Sequence, residues 1–402
     1  ALRPAAVLFV ALRVAGCETS GGAGKGRHPT AENIPAETGL AHVVRFEGEA
    51  DGGLQPIARR LAQARLVLTL GSLEGEPSGV FGAVEDVDGY APDRFAVLDS
   101  RYNEVRVFDA SGAFVERFGG PGRGPNEFLA PEALESHGVN RFVVADRNAQ
   151  IKIMERTATG MQQRVTIRLQ FTPEDLCVLG DEIVVQGPQP NGIVHLYSTD
   201  GRHLRSIGDG YRSGNPLVRN QLSDGRAACA GDAGTIVTML RYLPYVRGYS
   251  ADGALRWTSR LGDFLTIDME EGVEPNGQPY LLVGAENREY DQVEVLHAID
   301  DGFVIVQTAR HTPRSVRERR DYAELRTYVL SARTGRGVYV GNTLPRVLDV
   351  EPDLRVVGAG GCQALIEHVA VEEVALVGEF HAELLADDHD PLMRAVGLVG
   401  AE

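Results

Sequence analysis

The length, composition and charge of the chain limit what it can be. Its 402 residues, of which 43% are hydrophobic and 24% charged, suffice for a sizeable buried core, so a disordered or collagen-like chain is excluded. Aromatic residues make up only 6%, and 47 glycines favour an all-β protein with many turns. The net charge of -16 repels a phosphate backbone, so we expect no nucleic-acid partner.

Residues 1–17 have the order of a bacterial export signal. A basic residue precedes the apolar run 5–12, and small residues come just before Cys17. The run is shorter than the roughly 20 residues of a transmembrane helix. Residues 14–17 (VAGC) resemble the lipobox, whose cysteine is lipidated, although Arg13 departs from that pattern. We expect a lipid anchor at Cys17 and a place in the bacterial cell envelope. The alternative is an apolar N-terminus with an incidental cysteine.

The segment 18–60 is predicted to be a flexible tether and lead-in. Its first part, 19–35, is rich in Gly, Ala, Ser and Thr and has almost no apolar residue to bury. Such a composition suits a tether between a lipid anchor and a folded domain.

An internal repeat organises the residues that follow. The segment 93–99 (DRFAVLD) recurs at 140–146 (NRFVVAD), and looser copies follow as far as 354–358. From Phe95 to Leu354 the spacing is about 52 residues per unit, the size of a four-stranded propeller blade. Later in each unit an aromatic residue leads into a turn with Asp or Ser and then Gly, which predicts a hairpin. The copies of this turn are 108–112, 197–201 and 249–253.

An extra strand before the first repeat unit matches a strand that is missing from the last unit. Residues 66–71 look like an outer strand but precede the first inner strand, while the last unit, 346–376, supplies only three strands. Pairing the two would close a ring and remove an exposed sheet edge. The predicted fold is therefore all-β: a six-bladed β-propeller of four-stranded blades over 61–378, closed by an N-terminal outer strand paired into the last blade. Residues 379–402 are predicted to be a C-terminal tail.

Two motifs carry a family resemblance. Residues 99–109 (DSRYNEVRVFD) and 118–128 (FGGPGRGPNEF) are similar to segments of six-bladed NHL-repeat-like β-propellers, most closely those of bacterial exported proteins. The resemblance covers roughly residues 60 to 378. It implies the fold and not the function, because propellers host binding, lyase and hydrolase activities alike.

Several inner strands begin in carboxylates. In propeller enzymes of the kind that the chain resembles, carboxylates near the axis can hold calcium, which takes six to eight oxygen ligands. The alternative is that they solvate the channel or end strands, since no ligand spacing repeats between units. We expect no cofactor, with calcium as the alternative. The candidate ligands are Glu85, Asp86, Glu132, Glu174, Asp175, Glu294 and Asp349.

The other chemistry-bearing residues form no recognisable constellation. Cys177, Cys229 and Cys362 remain once Cys17 is set aside, an odd number with no metal-ligand spacing, so no disulfide framework is expected and cysteines such as Cys177 are interpreted as small buried hydrophobes. No G-x-S-x-G, H-E-x-x-H or C-x-x-C motif occurs, and no catalytic residues are predicted.

Loops on one face of the predicted propeller are rich in Tyr and Arg, which offer large contact areas with directional donors. The leading hypothesis is a non-catalytic, lipid-anchored, monomeric propeller that presents this face to a protein, peptide or glycan and meets the membrane only through its anchor. The alternatives are plain solvated loops, and a metal-assisted lyase or hydrolase, similar to lactonase-type propellers, acting at the axial carboxylates. The candidate binding residues are Arg101, Tyr102, Asn103, Arg123, Arg147, Asn148, Tyr211, Arg212, Tyr242, Tyr245, Arg310 and His311.

Overall fold

A computed structural model describes most of the chain between residues 26 and 370. The predicted signal segment 1–17 with Cys17, Cys362, and the predicted tail 379–402 lie outside the described residues. The described ranges are 26–34, 41–45, 54–71, 76–91, 94–273, 279–283, 288–299, 302–318, 322–350, 356–359 and 366–370.

Strands dominate the described residues, which confirms the predicted all-β class. The α-helices among them are three short ones, α1 (Gln55–Ala62), α2 (Pro216–Ser223) and α3 (Pro313–Glu318). Within the described ranges no helix is long and apolar enough to span a membrane.

Most strands belong to six sheets built from consecutive antiparallel strands. Three strands precede the first of these sheets, namely β1 (Gly26–His28), β2 (Ala41–Val44) and β3 (Arg65–Leu70). Sheet 1 contains β4 (Val84–Ala91), β5 (Arg94–Asp99), β6 (Glu104–Asp109) and β7 (Phe114–Gly119). Sheet 2 contains β8 (Pro131–Ser136), β9 (Arg141–Asp146), β10 (Gln150–Thr157) and β11 (Gly160–Arg168). Sheet 3 contains β12 (Asp175–Leu179), β13 (Glu182–Gln189), β14 (Gly192–Ser198) and β15 (His203–Ile207).

The remaining sheets follow the same order. Sheet 4 contains β16 (Gly225–Ala230), β17 (Thr235–Leu240), β18 (Tyr245–Ser250) and β19 (Leu255–Leu261). An insertion then forms β20 (Met269–Val273) and β21 (Pro279–Val283). Sheet 5 contains β22 (Tyr290–Ile299), β23 (Phe303–His311), β24 (Glu324–Ser331) and β25 (Gly337–Gly341). Sheet 6 contains β26 (Arg346–Val350), β27 (Val356–Ala359) and β28 (Ile366–Ala370).

The three N-terminal strands join later sheets. β3 pairs antiparallel with β28, with Leu70 opposite Ile366, and becomes the fourth strand of sheet 6. β2 runs parallel to β19 as an additional edge strand of sheet 4. β1 pairs with β20, which pairs with β21, to form a separate three-stranded sheet.

The first strands of the six sheets surround a channel. Each contacts the first strand of the next sheet, from β4 through β8, β12, β16 and β22 to β26, and β26 contacts β4. Because consecutive strands are antiparallel, the loops between second and third strands and between sheets lie at one end of the channel. We call this the loop end. The hairpins between first and second and between third and fourth strands lie at the other end, the hairpin end.

Apolar side chains fill the spaces between neighbouring sheets. Phe128, Leu134 and Phe142 are buried between sheets 1 and 2. Leu348 of sheet 6 packs in the same way with Phe95 of sheet 1. Each such side chain stabilises the fold by about 1.5–3 kcal/mol relative to exposure, so the sheets are held to one another chiefly by these contacts.

The predicted hairpin turns are present. The carboxylate of Asp109 accepts hydrogen bonds from the backbone N–H groups of Ser111 (2.9 Å) and Ala113 (3.0 Å). Gly201 and Gly253 of the other two copies have φ of +91° and +94°, a conformation that glycine adopts without the cost of a Cβ. The Asp/Ser–Gly motif therefore predicts these turns correctly.

The expectation of a flexible tether at 18–60 is wrong for the part of this segment that the structure describes. β1 and β2 are hydrogen-bonded into sheets, and Leu54, Ala58 and Leu61 at the start of and within α1 are buried among residues of sheets 5 and 6. These three apolar residues recur at i, i+4 and i+7, the spacing of an amphipathic helix. The low apolar content of 19–35 does not extend to this helix.

The expectation of unpaired cysteines is wrong for two of them. Cys177 of β12 and Cys229 of β16 form a disulfide, with their Cα atoms 5.6 Å apart. Their sequence separation of 52 residues is about one repeat period, because they lie on the first strands of neighbouring sheets. Cys177 pairs with Val184 and Cys229 with Ile236, so their positions differ by one residue and their side chains face each other. The odd number of cysteines conceals this pair, whereas the repeat period reveals it.

Candidate functional site

The axial channel is acidic along its length. It has a volume of about 360 Å³ and is lined by all six first strands. The basic and imidazole groups among the described lining residues are Arg226, Arg346 and His297. The lining carboxylates are Glu85, Asp86, Asp88, Glu132, Glu135, Asp175, Glu294 and Asp349.

Four of these carboxylates join one first strand to the next. Asp86 accepts a hydrogen bond from Leu134 N (2.8 Å), and Asp88 accepts one from Ser136 N (2.6 Å). Across other sheet boundaries, Ala227 N donates to Asp175 (3.1 Å) and Gly89 N donates to Asp349 (2.5 Å). First strands of neighbouring sheets share no backbone ladder, so these side chains satisfy backbone donors that would otherwise face the channel unpaired.

Near the hairpin end, acidic groups crowd around one imidazole. His297 Nε2 lies 2.9 Å from Asp349 Oδ1. Burial lowers the pKa of His297, but the hydrogen bond and charge of Asp349 outweigh it, so the pKa is raised. Burial and then the charge of Asp349 raise the pKa of Asp88 to about 7. Burial and then the charges of Asp88 and Asp349 raise that of Glu135 well above its ordinary value. We call Asp88, Glu135, Asp349 and His297 the deep cluster.

Ion pairs cross the loop-end mouth of the channel. Arg147 lies 3.6 Å from Glu132 and 3.5 Å from Glu174, and Arg241 lies 3.5 Å from Glu174 and 2.5 Å from Asp224. Burial, followed by the charge of Asp224, raises the pKa of Glu174 to about 7 in spite of the two arginines. The mouth is therefore a mixed-charge surface and not a purely acidic one.

The predicted calcium ligands lie at different depths along the channel and on different strands. Glu85 accepts a hydrogen bond from the Ser100 hydroxyl at 2.7 Å, and Glu294 accepts one from the side chain of Gln292. Among the described residues, no three His, Cys, Asp or Glu side chains are arranged to hold a metal ion.

Half of the predicted binding residues lie together at the loop end. Arg101, Tyr102, Arg123, Arg147 and Asn148 are exposed on three neighbouring loops of sheets 1 and 2. We call these five residues the loop patch. Asn103 lies in the same loops but is half-buried, with a left-handed backbone at φ +54°.

The loops beneath the loop patch are tied to one another. Asn103 O accepts a hydrogen bond from Gly120 N (2.7 Å), and Ala130 O accepts one from Arg147 N (2.9 Å). The glycine-rich segment between sheets 1 and 2 is thereby fixed on both sides. The exposed side chains of the patch stand on a rigid support.

The other predicted binding residues lie on sheets 3 to 5, and two of them are buried. Tyr211 is only 1% exposed, because its hydroxyl is covered by the N-terminal segment and bonds His28 Nδ1 (2.8 Å) and Thr30 N (2.9 Å). His311 is 8% exposed and stacks on Tyr290 with ring centroids 4.9 Å apart. These two expected surface residues are corrected to interior ones.

The remaining four are partly engaged within the protein. Arg310 is paired with Asp291, and Tyr245 is half-buried with Arg247 over its ring. Tyr242 is half-buried, and burial raises its pKa to about 12. Arg212 is exposed and lies 3.9 Å from Asp209.

Comparisons with known proteins decide the fold. Residues 70–188 match the model of a family, DUF5128, described as a 6-bladed beta-propeller. No curated protein matches the chain. Among solved structures, the chain is similar to a putative exported protein from Bacteroides fragilis, with 10% identity, a TM-score of 0.50, and coverage of 82% of this chain and 99% of that one. The chain is a β-propeller.

A second solved structure has the same kind of likeness to this propeller. It is a member of the DUF4221 family from Bacteroides vulgatus, with 9% identity, a TM-score of 0.48, and coverage of 77% of this chain and 98% of that one. Identities this low concern the fold alone. The match over 70–188 falls on the part of the propeller where the repeat is clearest in sequence.

Two repeated features of the propeller were not recognised from sequence as structural. Asp99 and Asp146 end the second strands of sheets 1 and 2, are fully buried, and accept hydrogen bonds from the preceding loop at Gly82 N (2.8 Å) and Leu129 N (2.9 Å). They explain why the repeat ends in Asp. Each carboxylate holds the loop that enters its own sheet.

The second feature is a buried basic residue in the third strand. Arg106 donates to Val80 O (2.6 Å), and Lys152, at the equivalent place in sheet 2, donates to Gly124 O (2.8 Å). Burial lowers the pKa of Lys152. Sheets 4 and 5 have Arg247 and Arg326 there. This feature can be recognised in the sequence, because an aliphatic residue is followed by a basic one in each of these third strands.

Proposed function

We propose that this propeller is a non-catalytic binding scaffold of the bacterial cell envelope and presents its loop end to a protein, peptide or glycan. The observation that carries the proposal is the loop patch: three arginines, a tyrosine and an asparagine exposed together on three joined loops. Arg and Tyr are the residue types that most often dominate binding energies. Because the loops are already tied together, little conformational entropy would be lost on binding.

The contacts of the axial carboxylates favour binding over catalysis. Asp86, Asp88, Asp175 and Asp349 each use an oxygen to hold the neighbouring first strand. A hydrolase or lyase needs a nucleophile or base that is oriented by a second group and free to reach a substrate. A strand-joining role accounts for these carboxylates without such an assignment.

The loop patch is tested with two of its residues. In a variant with Tyr102→Ala and Arg123→Ala, affinity for the partner should fall by about 1–3 kcal/mol per residue. The thermal unfolding midpoint should change little, because both side chains are exposed and the fold loses only the contact of the Tyr102 ring with Arg106. The measurement is capture of partners from envelope extract, followed by the dissociation constant for the partner obtained.

The matched control carries Phe114→Ala and Arg202→Ala, which remove an exposed aromatic residue and an exposed arginine at the hairpin end. This control should retain the partner. If the loop-patch variant retains the same partner with equal affinity, the loop patch is ordinary surface and the proposal fails.

We further propose that the propeller has six blades, of the NHL-repeat type, and that β3 completes the last of them. The pairing of β3 with β28 supports this, as does the contact of β26 with β4. Leu70 and Leu348 of sheet 6 also share an apolar cluster with Phe81, Phe95 and Phe108 of sheet 1. Closure would let the last sheet pack its face against the first, as the other neighbouring sheets do.

The envelope location has three supports. Residues 1–17 have the order of an export signal, and the structurally similar Bacteroides fragilis protein is described as a putative exported protein. The disulfide between Cys177 and Cys229 is typical of oxidising compartments such as the bacterial periplasm and cell surface. The anchor would be a lipid on Cys17.

The anchor has its own test. Cys17→Ser should move the protein from the membrane fraction to the soluble fraction of lysed cells, because the thioether link to the lipid cannot form without the cysteine. Fractionation and mass spectrometry of the mature N-terminus measure this, with Cys362→Ser as the control. Equal partitioning of the Cys17→Ser variant and the parent would refute the anchor.

A further inference from the structure

The deep cluster contains acceptors that the fold does not use. Asp88 is only 8% exposed, and one carboxylate oxygen accepts from Ser136 N. Its other oxygen, Oδ1, is buried and has no hydrogen-bond partner among the described residues. A buried charged oxygen without a donor is costly to the fold, so a site that leaves one unpaired invites a ligand that supplies the donor.

The surroundings of that oxygen are acidic and enclosed. Glu135 lies on the next first strand and Asp349 on the preceding one. The charge of Asp349 raises the pKa of Asp88, and the charge of Asp88 raises the pKa of Glu135. The other ionisable groups that line the channel are Glu85, Asp86, Glu132, Asp175 and Glu294 with the same sign, and His297, Arg226 and Arg346 with the opposite one. Within the described lining, carboxylates outnumber cationic groups, so the channel attracts a cationic ligand.

We infer that the deep part of the channel binds the ammonium group of a small aliphatic amine, with Asp88 Oδ1 and Glu135 as its acceptors. An ammonium group offers three N–H donors and is satisfied by two or three oxygens. A calcium ion needs six to eight oxygens, and the carboxylates here are divided among strands and already hold backbone donors. The channel volume of about 360 Å³ suits a small linear molecule.

The inference predicts that binding is coupled to protons. Burial and then the charge of Asp349 raise the pKa of Asp88 to about 7, so at pH 6 this carboxyl is largely protonated. Burial also raises the pKa of Glu135 well above its ordinary value. An aliphatic ammonium stays charged at both pH 6 and pH 8, since its pKa is about 10. Affinity should therefore increase from pH 6 to pH 8, and binding should release protons.

The experiment is calorimetric titration of the folded propeller with 1,4-diaminobutane at pH 6 and pH 8, in two buffers of different ionisation enthalpy. We expect one molecule bound at pH 8, at least tenfold weaker binding at pH 6, and proton release. Asp88→Asn, which keeps an acceptor for Ser136 N, and Glu135→Gln should each weaken binding at least tenfold. Two variants are used so that a folding defect in one leaves the other informative.

The control is Asp252→Asn, which removes the same charge from an exposed hairpin turn far from the axis. It should bind as the parent does. No binding at pH 8, parent-like affinity in both channel variants, or binding of calcium that the amine does not displace would each overturn the inference. None of these outcomes bears on Tyr102 and Arg123, the two residues by which the loop patch is tested, since neither lines the channel.

Discussion

Replacing Cys177 and Cys229 together by Ser is expected to lower the free energy of unfolding by about 2–4 kcal/mol. The disulfide closes a loop between residues 52 apart and thereby restricts the unfolded chain. It also joins the first strands of sheets 3 and 4 at the channel wall. Denaturant unfolding, followed by fluorescence of the single tryptophan, Trp257, measures the loss.

Reduction provides the matched comparison for this pair. A strong thiol reductant should destabilise the parent by a similar amount and leave the double Ser variant unaffected. Alkylation of the unfolded, unreduced protein should label neither Cys177 nor Cys229. Labelling of both, or a parent that is indifferent to reductant, would contradict the disulfide.

The free energy of unfolding should decrease as the pH rises from 5 to 8. Asp86, Asp88, Glu135 and Asp175 have pKa values raised by burial, so between the unfolded and folded pKa values the native state binds more protons. Stability then falls with rising pH. The ion pair between His297 and Asp349 is also lost as the pH rises, because the folded pKa of His297 is raised as well. For Asp88, whose pKa is raised by burial and then by the charge of Asp349 from 3.8 to about 7, the part of this effect that falls between pH 5 and pH 8 is roughly 3 kcal/mol.

Neutralising Asp88 tests the cause of this pH dependence. Asp88→Asn should flatten the decrease and be more stable than the parent at pH 8, because the buried charge and its repulsion by Asp349 both disappear. Asp252→Asn should follow the parent curve. Thermal unfolding from pH 5 to pH 8 measures both. An increase in parent stability over this range, or a curve for Asp88→Asn with the parent slope, would show that the channel carboxylates do not control it.

Local patterns predicted the parts of the fold that local physics determines. The turn at 109–113 needs a side-chain acceptor and a glycine with positive φ, and both can be read from adjacent residues. The repeat at 93–99 and 140–146 predicts equivalent strands wherever they lie in space. The helix α1 was missed because the low apolar content before it was extended too far.

Contacts between distant segments could not be predicted in this way. Tyr211 looks like a loop residue from its neighbours, but it is buried because residues 28–30 cover it. Asp86 looks like a channel-mouth acid, while its partner, Leu134 N, belongs to the next sheet. The disulfide lies between these two cases. It joins distant segments, but its separation of 52 residues is about the repeat period, which can be read from the sequence.

The position of β1 has a consequence for how an anchored propeller would be oriented. β1 pairs with β20 in the insertion between sheets 4 and 5, so the chain enters the folded domain at the loop end. Only eight residues separate Cys17 from Gly26, which limits the distance from a lipid on Cys17 to β1 to about 30 Å. The loop end would then face the bilayer at close range. A partner of the loop patch would have to reach it in the narrow layer next to the membrane, which favours membrane-associated molecules over freely diffusing ones.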